Sequence, residues 1–341
     1  MQIFNDIRTA HFSRPTVLTI GNFDGVHRGH QTLLARLLGV AAELDAVGGL
    51  ITFDPHPLAV LRPEHAPLLL TTPHERLQVA AQLGLGVGVI QPFTPELAAV
   101  GPDTFVGWLK QHLNLAALVA GPDFALGRNR SGNLEVLAAL GEEMGYRLVV
   151  IDPVEWGEHS VRSNAIRALL TQGKVDEAAT MLGRPYHATG IVIPGDRRGR
   201  TIGTPTANMQ LPPNKLWPAD GVYATRTYVH QVNKSDGSGP VVYSSVTNLG
   251  VRPTVDGTQH RFETHLLDFP DPDGPAELAD GDLYGRTLTV EFIARLRGEV
   301  RFDGLPALIA QIQRDIEAAR QLLDGYQPAD RSSFFVEPHA G

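Results

Sequence analysis

The sequence predicts an α/β chain: a doubly wound parallel sheet with helices on both faces, then a small antiparallel β-barrel with a C-terminal helix. Three observations carry this. Up to Leu182, short β-branched runs alternate with helical patterns, as βαβ units require. From Tyr186 onward, strand-like segments follow one another without intervening helices, which suits a barrel. Near the end, Leu305, Leu308, Ile309, Ile312, Ile316 and Leu323 recur on one helical stripe, expected to pack on the core.

Composition narrows the class. With 341 residues the chain is long enough for two domains, at roughly 150 residues each. Hydrophobic residues at 43% and charged residues at 19% are those of an ordinary globular protein. The absence of cysteine excludes a disulfide scaffold, thiolate zinc and a cysteine nucleophile. A formal charge of -8 argues against a nucleic-acid binder, so local cations must meet any anionic substrate. Met1 to Asp6 lacks the charged and apolar regions of a leader, and no apolar run approaches ~20 residues. The expected location is the cytoplasm, with no membrane or obligate protein partner. Asn129-Arg130-Ser131 and Asn233-Lys234-Ser235 are therefore not read as glycosylation sites.

In the N-terminal half, Thr16 to Ile20 reads as a strand, Gly21-Asn22-Phe23-Asp24-Gly25 as a turn, and Gln31 to Leu38 as a helix. Further strands are expected at Gly49 to Phe53, Val87 to Ile90, Ala117 to Ala120 and Arg147 to Ile151. Ligands then belong at the strands' C-terminal ends. His27-Arg28-Gly29-His30 places two imidazoles three apart at the mouth of the first helix, where backbone N–H groups favour an anion. As hydrogen-bond donors they suit charge developing on phosphate; as metal ligands they lack a third partner nearby. Ser163 is expected to cap a helix from Asn164 to Leu170, and a second helix runs from Val175 to Leu182.

The C-terminal half opens at Gly183 to Tyr186. Its strands are expected at His187 to Ile193, Gly221 to Val229, Val241 to Thr247, Phe262 to Leu267 and Thr287 to Phe292. Among them lies Gly199-Arg200-Thr201-Ile202-Gly203-Thr204-Pro205-Thr206-Ala207-Asn208. Such a loop suits a polyphosphate and its metal: glycines admit backbone N–H groups, Arg200 neutralises charge, and Thr206 and Asn208 offer neutral oxygens to Mg²⁺. Turn-forming residues alone would give a similar composition, and no Walker A motif is present. Ser235 to Gly239 and Asp271 to Gly274 read as loop tips.

Two motifs decide between these readings. Gly199 to Asn208 closely resembles the riboflavin kinase signature, and Gly21 to His30 resembles, position by position, the nucleotidyltransferase motif of the bacterial FAD synthetase module. Phe53 to Pro57, Asn248 to Thr254, Glu263 to Phe269 and Asp282 to Gly285 add further resemblance to the bifunctional family. Asp123 to Gly132 matches a family loop but departs from it at Ala125 and Leu126. Ser160 to Arg167 matches a phosphate motif at Ser163 and Arg167 and departs at Arg162 and Asn164.

The resemblance implies an FMN adenylyltransferase domain over 1–184, a riboflavin kinase domain over 185–328 and a tail over 329–341. ATP phosphorylates riboflavin to FMN, and a second ATP adenylylates FMN to FAD. Catalytic residues are then Glu263, as base in the kinase step, and His27 with His30 in the transfer step. Glu263 alone would read as a strand carboxylate paired with Arg261. Nucleotide and phosphate binding fall to Gly21, Asn22, Phe23, Asp24, Asp123, Ser163, Arg167, Gly199, Arg200, Gly203, Thr206 and Asn208. Thr206 and Asn208 would hold Mg²⁺. The departures leave one alternative, a riboflavin kinase with a degenerate adenylyltransferase domain. A non-catalytic flavin binder would be expected to lose Glu263, Thr206 or the His pair, and all are present. An adenylyltransferase or cytidylyltransferase for another small phosphate shares the fold and the His motif.

Overall fold

The computed structural model describes residues 1–152, 161–195, 203–230, 239–254, 257–270, 278 and 281–326. The loop tips at 235–238 and 271–274 and the tail at 329–341 lie outside the described residues. The chain forms two compact units, Met1–Ser163 and Asn164–Gly341.

The first unit is built on six parallel strands: β1 (Gln2–Phe4), β2 (Thr16–Ile20), β3 (Val47–Asp54), β4 (Val87–Pro92), β5 (Leu115–Ala120) and β6 (Arg147–Val150). Their order is β1-β4-β3-β2-β5-β6. All five residues of β2 are buried, because both faces of the sheet are covered. Val17 points to one face, against Leu37 and Val40 of α1 (Arg28–Glu43). Leu18 points to the other, joining Phe105, Val106 and Leu109, which come from a later helix, Pro102–Leu113. That alternation produces the doubly wound layering. β1 is too short to be recognised from Gln2-Ile3-Phe4, and only its pairing with β4 defines it. The order reverses between β2 and its neighbours β3 and β5, so the crevice beyond Ile20 is the topological switch point where such sheets bind ligands. The turn from Gly21 to His27 begins there.

The first unit ends at Ser163, the first residue of the helix Ser163–Thr171, and the second opens with the rest of that helix and with Val175–Leu182, which packs on barrel strands; the break between units precedes the change of pattern at Gly183. Then come β7 (Tyr186–Ile193), β8 (Ala207–Gln210), β9 (Gly221–Val229), β10 (Val241–Thr254), β11 (Gly257–Leu266) and β12 (Thr287–Arg297). They close as β10-β11-β8-β7-β12-β9, all antiparallel. β8 was not expected: Ala207 and Asn208 are strand residues, fixed by pairing with β11 rather than by propensity. The barrel interior combines Tyr223, Phe262 and Phe292 with buried hydroxyls that satisfy one another. Thr225 Oγ1 lies 2.8 Å from both Ser245 Oγ and Thr247 Oγ1, and Thr247 bonds Thr264 at 2.9 Å.

The closing helix, Leu305–Asp324, corrects one expectation. Leu323 packs with Ala224 of the barrel, as predicted, and Ala319 joins them. Leu308, Ile312 and Ile316 instead line an open cleft, and Leu305 is 55% exposed. Half of the apolar stripe thus serves a cavity.

Candidate active sites

In the first unit, the turn after β2 holds left-handed backbone at Phe23 (φ 46°), Gly25 (φ 86°) and Val26 (φ 41°). For bulky or β-branched residues this costs of order ~1–3 kcal/mol each and persists only where the surroundings enforce it. A Cβ on Gly21 would come within 3.1 Å of the Phe23 ring, so a side chain there would press on the turn. His27 caps α1, its Nδ1 accepting the His30 N–H at 3.4 Å. That bond leaves the His27 proton on Nε2, a donor. The two rings stack with centroids 3.7 Å apart and planes 15° from parallel, and Phe23 lies 4.7 Å from His30. Asn22 and His56 approach at 3.0 Å, while His56 Nδ1 accepts from Leu58 N–H. The 3.0 Å contact is between the Asn22 amide nitrogen and His56 Nε2.

Several predicted residues take roles the sequence did not show. The Asp24 carboxylate is 3% exposed and turned inward, accepting from Leu70 N (3.1 Å) and Thr71 N (2.9 Å), so it shapes the turn instead of facing a ligand. Phe23 is likewise buried, in a core cluster. Ser163 is the first residue of its helix, not the residue before it, and its Oγ donates to the Asp24 carbonyl at 2.9 Å. Arg167 belongs to the second unit, where Nη1 donates to Asn164 Oδ1 at 2.7 Å. Asp123 is exposed on the loop after β5, and its carbonyl accepts from Arg130 at 2.7 Å. Leu126 enters the core beside Phe105 and exchanges backbone hydrogen bonds with Gly132, so this departure from the family pattern is a packing change. Thr52, Thr71 and Arg76 were missed entirely.

In the second unit, Asn208 of β8, Glu263 of β11 and Asn248 of β10 sit directly opposite one another. Partners across antiparallel strands share a face, so the three side chains form one row. Glu263 Oε1 lies 3.3 Å from Arg261 Nη1, with both side chains about a quarter exposed (26% and 22%). The expected ion pair therefore exists, and Glu263 also lines a cleft of about 760 Å³ with Thr204, Thr206, Asn248, His265 and the apolar half of the closing helix. A second cleft of about 350 Å³ is lined by Thr206, Asn208, Gly195, Asp282 and Tyr284. Thr206 belongs to both. A Cβ on Gly195 would fall 2.2 Å from the Asn208 amide, so glycine is required for Asn208 to take this position. His265 Nδ1 meets the Pro205 carbonyl at 2.7 Å; burial lowers its pKa, leaving a neutral ring that donates to the loop beside Thr206. Gly203 is exposed with φ 76°. Gly199 and Arg200 lie outside the described residues.

Among the described residues, no cluster of three or more His, Asp or Glu could hold a metal. Mg²⁺ bound mainly by substrate phosphates and water needs none, and the hydroxyl of Thr206 and the amide oxygen of Asn208 fit such a hard cation. No described helix is long and apolar enough to cross a membrane.

Comparison with known proteins agrees with this division. Residues 9–165 match the FAD synthetase family model and residues 182–323 the riboflavin kinase model. A bifunctional riboflavin kinase/FMN adenylyltransferase of Escherichia coli (strain K12) is 35% identical, covering 92% of this chain and 94% of its own. The protein of that name from Pseudomonas fluorescens is 38% identical over 93% and 97%, and that from Bacillus subtilis (strain 168) 33% over 92% and 97%. A crystal structure described as a macrolide-efflux protein from Streptococcus pneumoniae superposes with a TM-score of 0.79 at 27% identity, over 96% of this chain and 99% of that one.

Proposed function

The chain belongs to the bifunctional riboflavin kinase/FMN adenylyltransferase family, and from that membership we propose that it converts riboflavin to FMN and FMN to FAD with two molecules of ATP. The observation that carries this is the presence of both chemistries, each in its own unit: a carboxylate beside a divided cleft, and a stacked imidazole pair at a sheet's switch point. We assign 1–184 to adenylyl transfer, 185–328 to the kinase and 329–341 to a tail.

In the kinase step, riboflavin occupies the larger cleft and the ATP phosphates the smaller, with Thr206 at their junction. Glu263 takes the proton of the ribityl 5′-hydroxyl as that oxygen bonds to the γ-phosphorus, and the bond to the bridging oxygen breaks to release ADP. Mg²⁺, held through Thr206 and Asn208, would neutralise phosphate charge. In the transfer step the nucleophile is an FMN phosphate oxygen, already ionised, so no base is needed. It attacks the α-phosphorus of ATP and pyrophosphate leaves, while His27 and His30 donate to the charge that develops. Gly21, Asn22, Asp123 and Ser163 frame that site, with Asp24 and Phe23 shaping it from within. Arg167, Gly199 and Arg200 remain assigned to phosphate through motif resemblance. Both reactions act on small molecules, and we place them in the cytoplasm.

Incubation with riboflavin, ATP and Mg²⁺, followed by separation of the flavins, tests the proposal. FMN and FAD together are expected. FMN alone would establish the kinase-only alternative, which the match of residues 9–165 to FAD synthetase disfavours.

A further inference from the structure

Arg76, on the helix Pro73–Gln82, belongs to none of the motifs above and is 1% exposed. Its guanidinium joins three separate stretches of chain. Nη1 donates to Thr52 Oγ1 at the end of β3. Nη2 donates to the Thr71 carbonyl at 3.1 Å and approaches Asp24 Oδ1 at 3.5 Å. Each partner hands the constraint on to the turn. Thr52 Oγ1 donates to the Asn22 carbonyl at 3.2 Å. Thr71 Oγ1 accepts the Gly25 N–H at 2.8 Å and donates to Asp24 Oδ1 at 3.2 Å. Asn22, Asp24 and Gly25 are thus gripped from one side by a network that closes through a single side chain. They flank or include the left-handed residues Phe23, Gly25 and Val26, and His27 follows directly.

We propose that Arg76 is a positioning residue for adenylyl transfer, holding the Gly21–His27 turn so that the stacked imidazoles meet the reacting phosphate. A planar fork spans Thr52 on one side and Thr71 with Asp24 on the other, which an apolar side chain of equal length cannot do. The inference rests on the adenylyl-transfer reading of this unit. It separates from a merely structural role because a mis-aimed donor lowers kcat while leaving substrate affinity in place.

The test uses the full chain with FMN, ATP and Mg²⁺. Arg76→Met should lower kcat for FAD formation ~100-fold, the loss typical of one misplaced donor, with both KM values within about threefold of wild type. Arg76→Lys should recover to within about tenfold of wild type, because an ammonium still offers several donors. Kinase turnover, carried by the other unit, should be unchanged in both. Should Arg76→Met fail to fold, Thr52→Val decides: it removes the hydroxyl that links Arg76 Nη1 to the Asn22 carbonyl while leaving the Thr71 and Asp24 contacts, and should lower kcat about tenfold with the same KM pattern. A folded variant with wild-type kcat, a loss confined to KM, or Arg76→Lys no better than Arg76→Met would overturn the inference. Wild-type protein that makes no FAD would instead remove the reading on which it rests.

Discussion

Replacing Glu263 with Gln separates the two activities most cleanly. The change keeps shape and hydrogen-bonding capacity but removes the proton acceptor. A positioned general base contributes ~10²–10⁴-fold, so the barrier to FMN formation should rise by about 3–5 kcal/mol. The structural cost is far smaller. Its ionic partner is Arg261 at 3.3 Å, and both side chains are partly exposed, so the lost pair is worth at most about 1 kcal/mol. Asn208 and Asn248 flank the position on either strand and tolerate an amide between them. Thermal unfolding should therefore move by only a few degrees. Riboflavin KM should change little, and FAD formation from supplied FMN should proceed at the wild-type rate. The assay follows FMN from riboflavin and FAD from FMN in parallel on one preparation. Equal damage to both reactions, or a kcat for FMN formation within about threefold of wild type, would refute the assignment of Glu263 as base.

The reciprocal change, His27→Ala with His30→Ala, should stop FAD formation and spare the kinase; collapse of FMN production as well would show that the sites are not independent. Thr206→Val keeps shape while deleting an oxygen, so kinase activity should fall and its Mg²⁺ requirement rise; an unchanged Mg²⁺ titration would remove Thr206 from the metal's surroundings. His230 reports on the barrel. Burial lowers its pKa from 6.5 to about 4, so the folded state binds fewer protons than the unfolded one. Its stabilisation is fully present above pH 6.5 and is lost as pH falls through about 4, by up to about 3 kcal/mol. Urea midpoints at pH 7 and pH 4.5 should therefore differ less in His230→Gln than in wild type; identical differences would contradict this account.

The strands were legible where both faces are covered. Thr16 to Ile20 and Thr287 to Phe292 carry enough β-branched and apolar residues for local pattern to coincide with tertiary demand. β1 and β8 were not, because each is defined only by a distant partner, β4 for one and β7 with β11 for the other. The His pair was visible through spacing at a helix entrance, whereas the network that fixes it was not. Thr71 and Arg76 lie far from Asp24 in sequence, as Thr52 does from Asn22, and each meets its partner only through the fold. The capping box at Thr72 and Glu75 marks the start of that helix, yet nothing local marks Arg76 as different from a surface arginine. The same limit applied to the closing helix: an apolar stripe reads alike whether it fills a core or lines a cleft, and the position of the barrel strands, β9 and β10 above all, decided.

The central claim is that one chain carries both steps, and the transfer step is the more demanding test because Ala125, Leu126, Arg162 and Asn164 depart from the family pattern. Leu126 is buried beside Phe105, where another apolar residue can be accommodated, so the departure changes packing more than charge. Purified wild-type protein supplied with FMN, ATP and Mg²⁺ should yield FAD and pyrophosphate in equal amounts. Folded protein with an active kinase and no FAD above background would contradict the account.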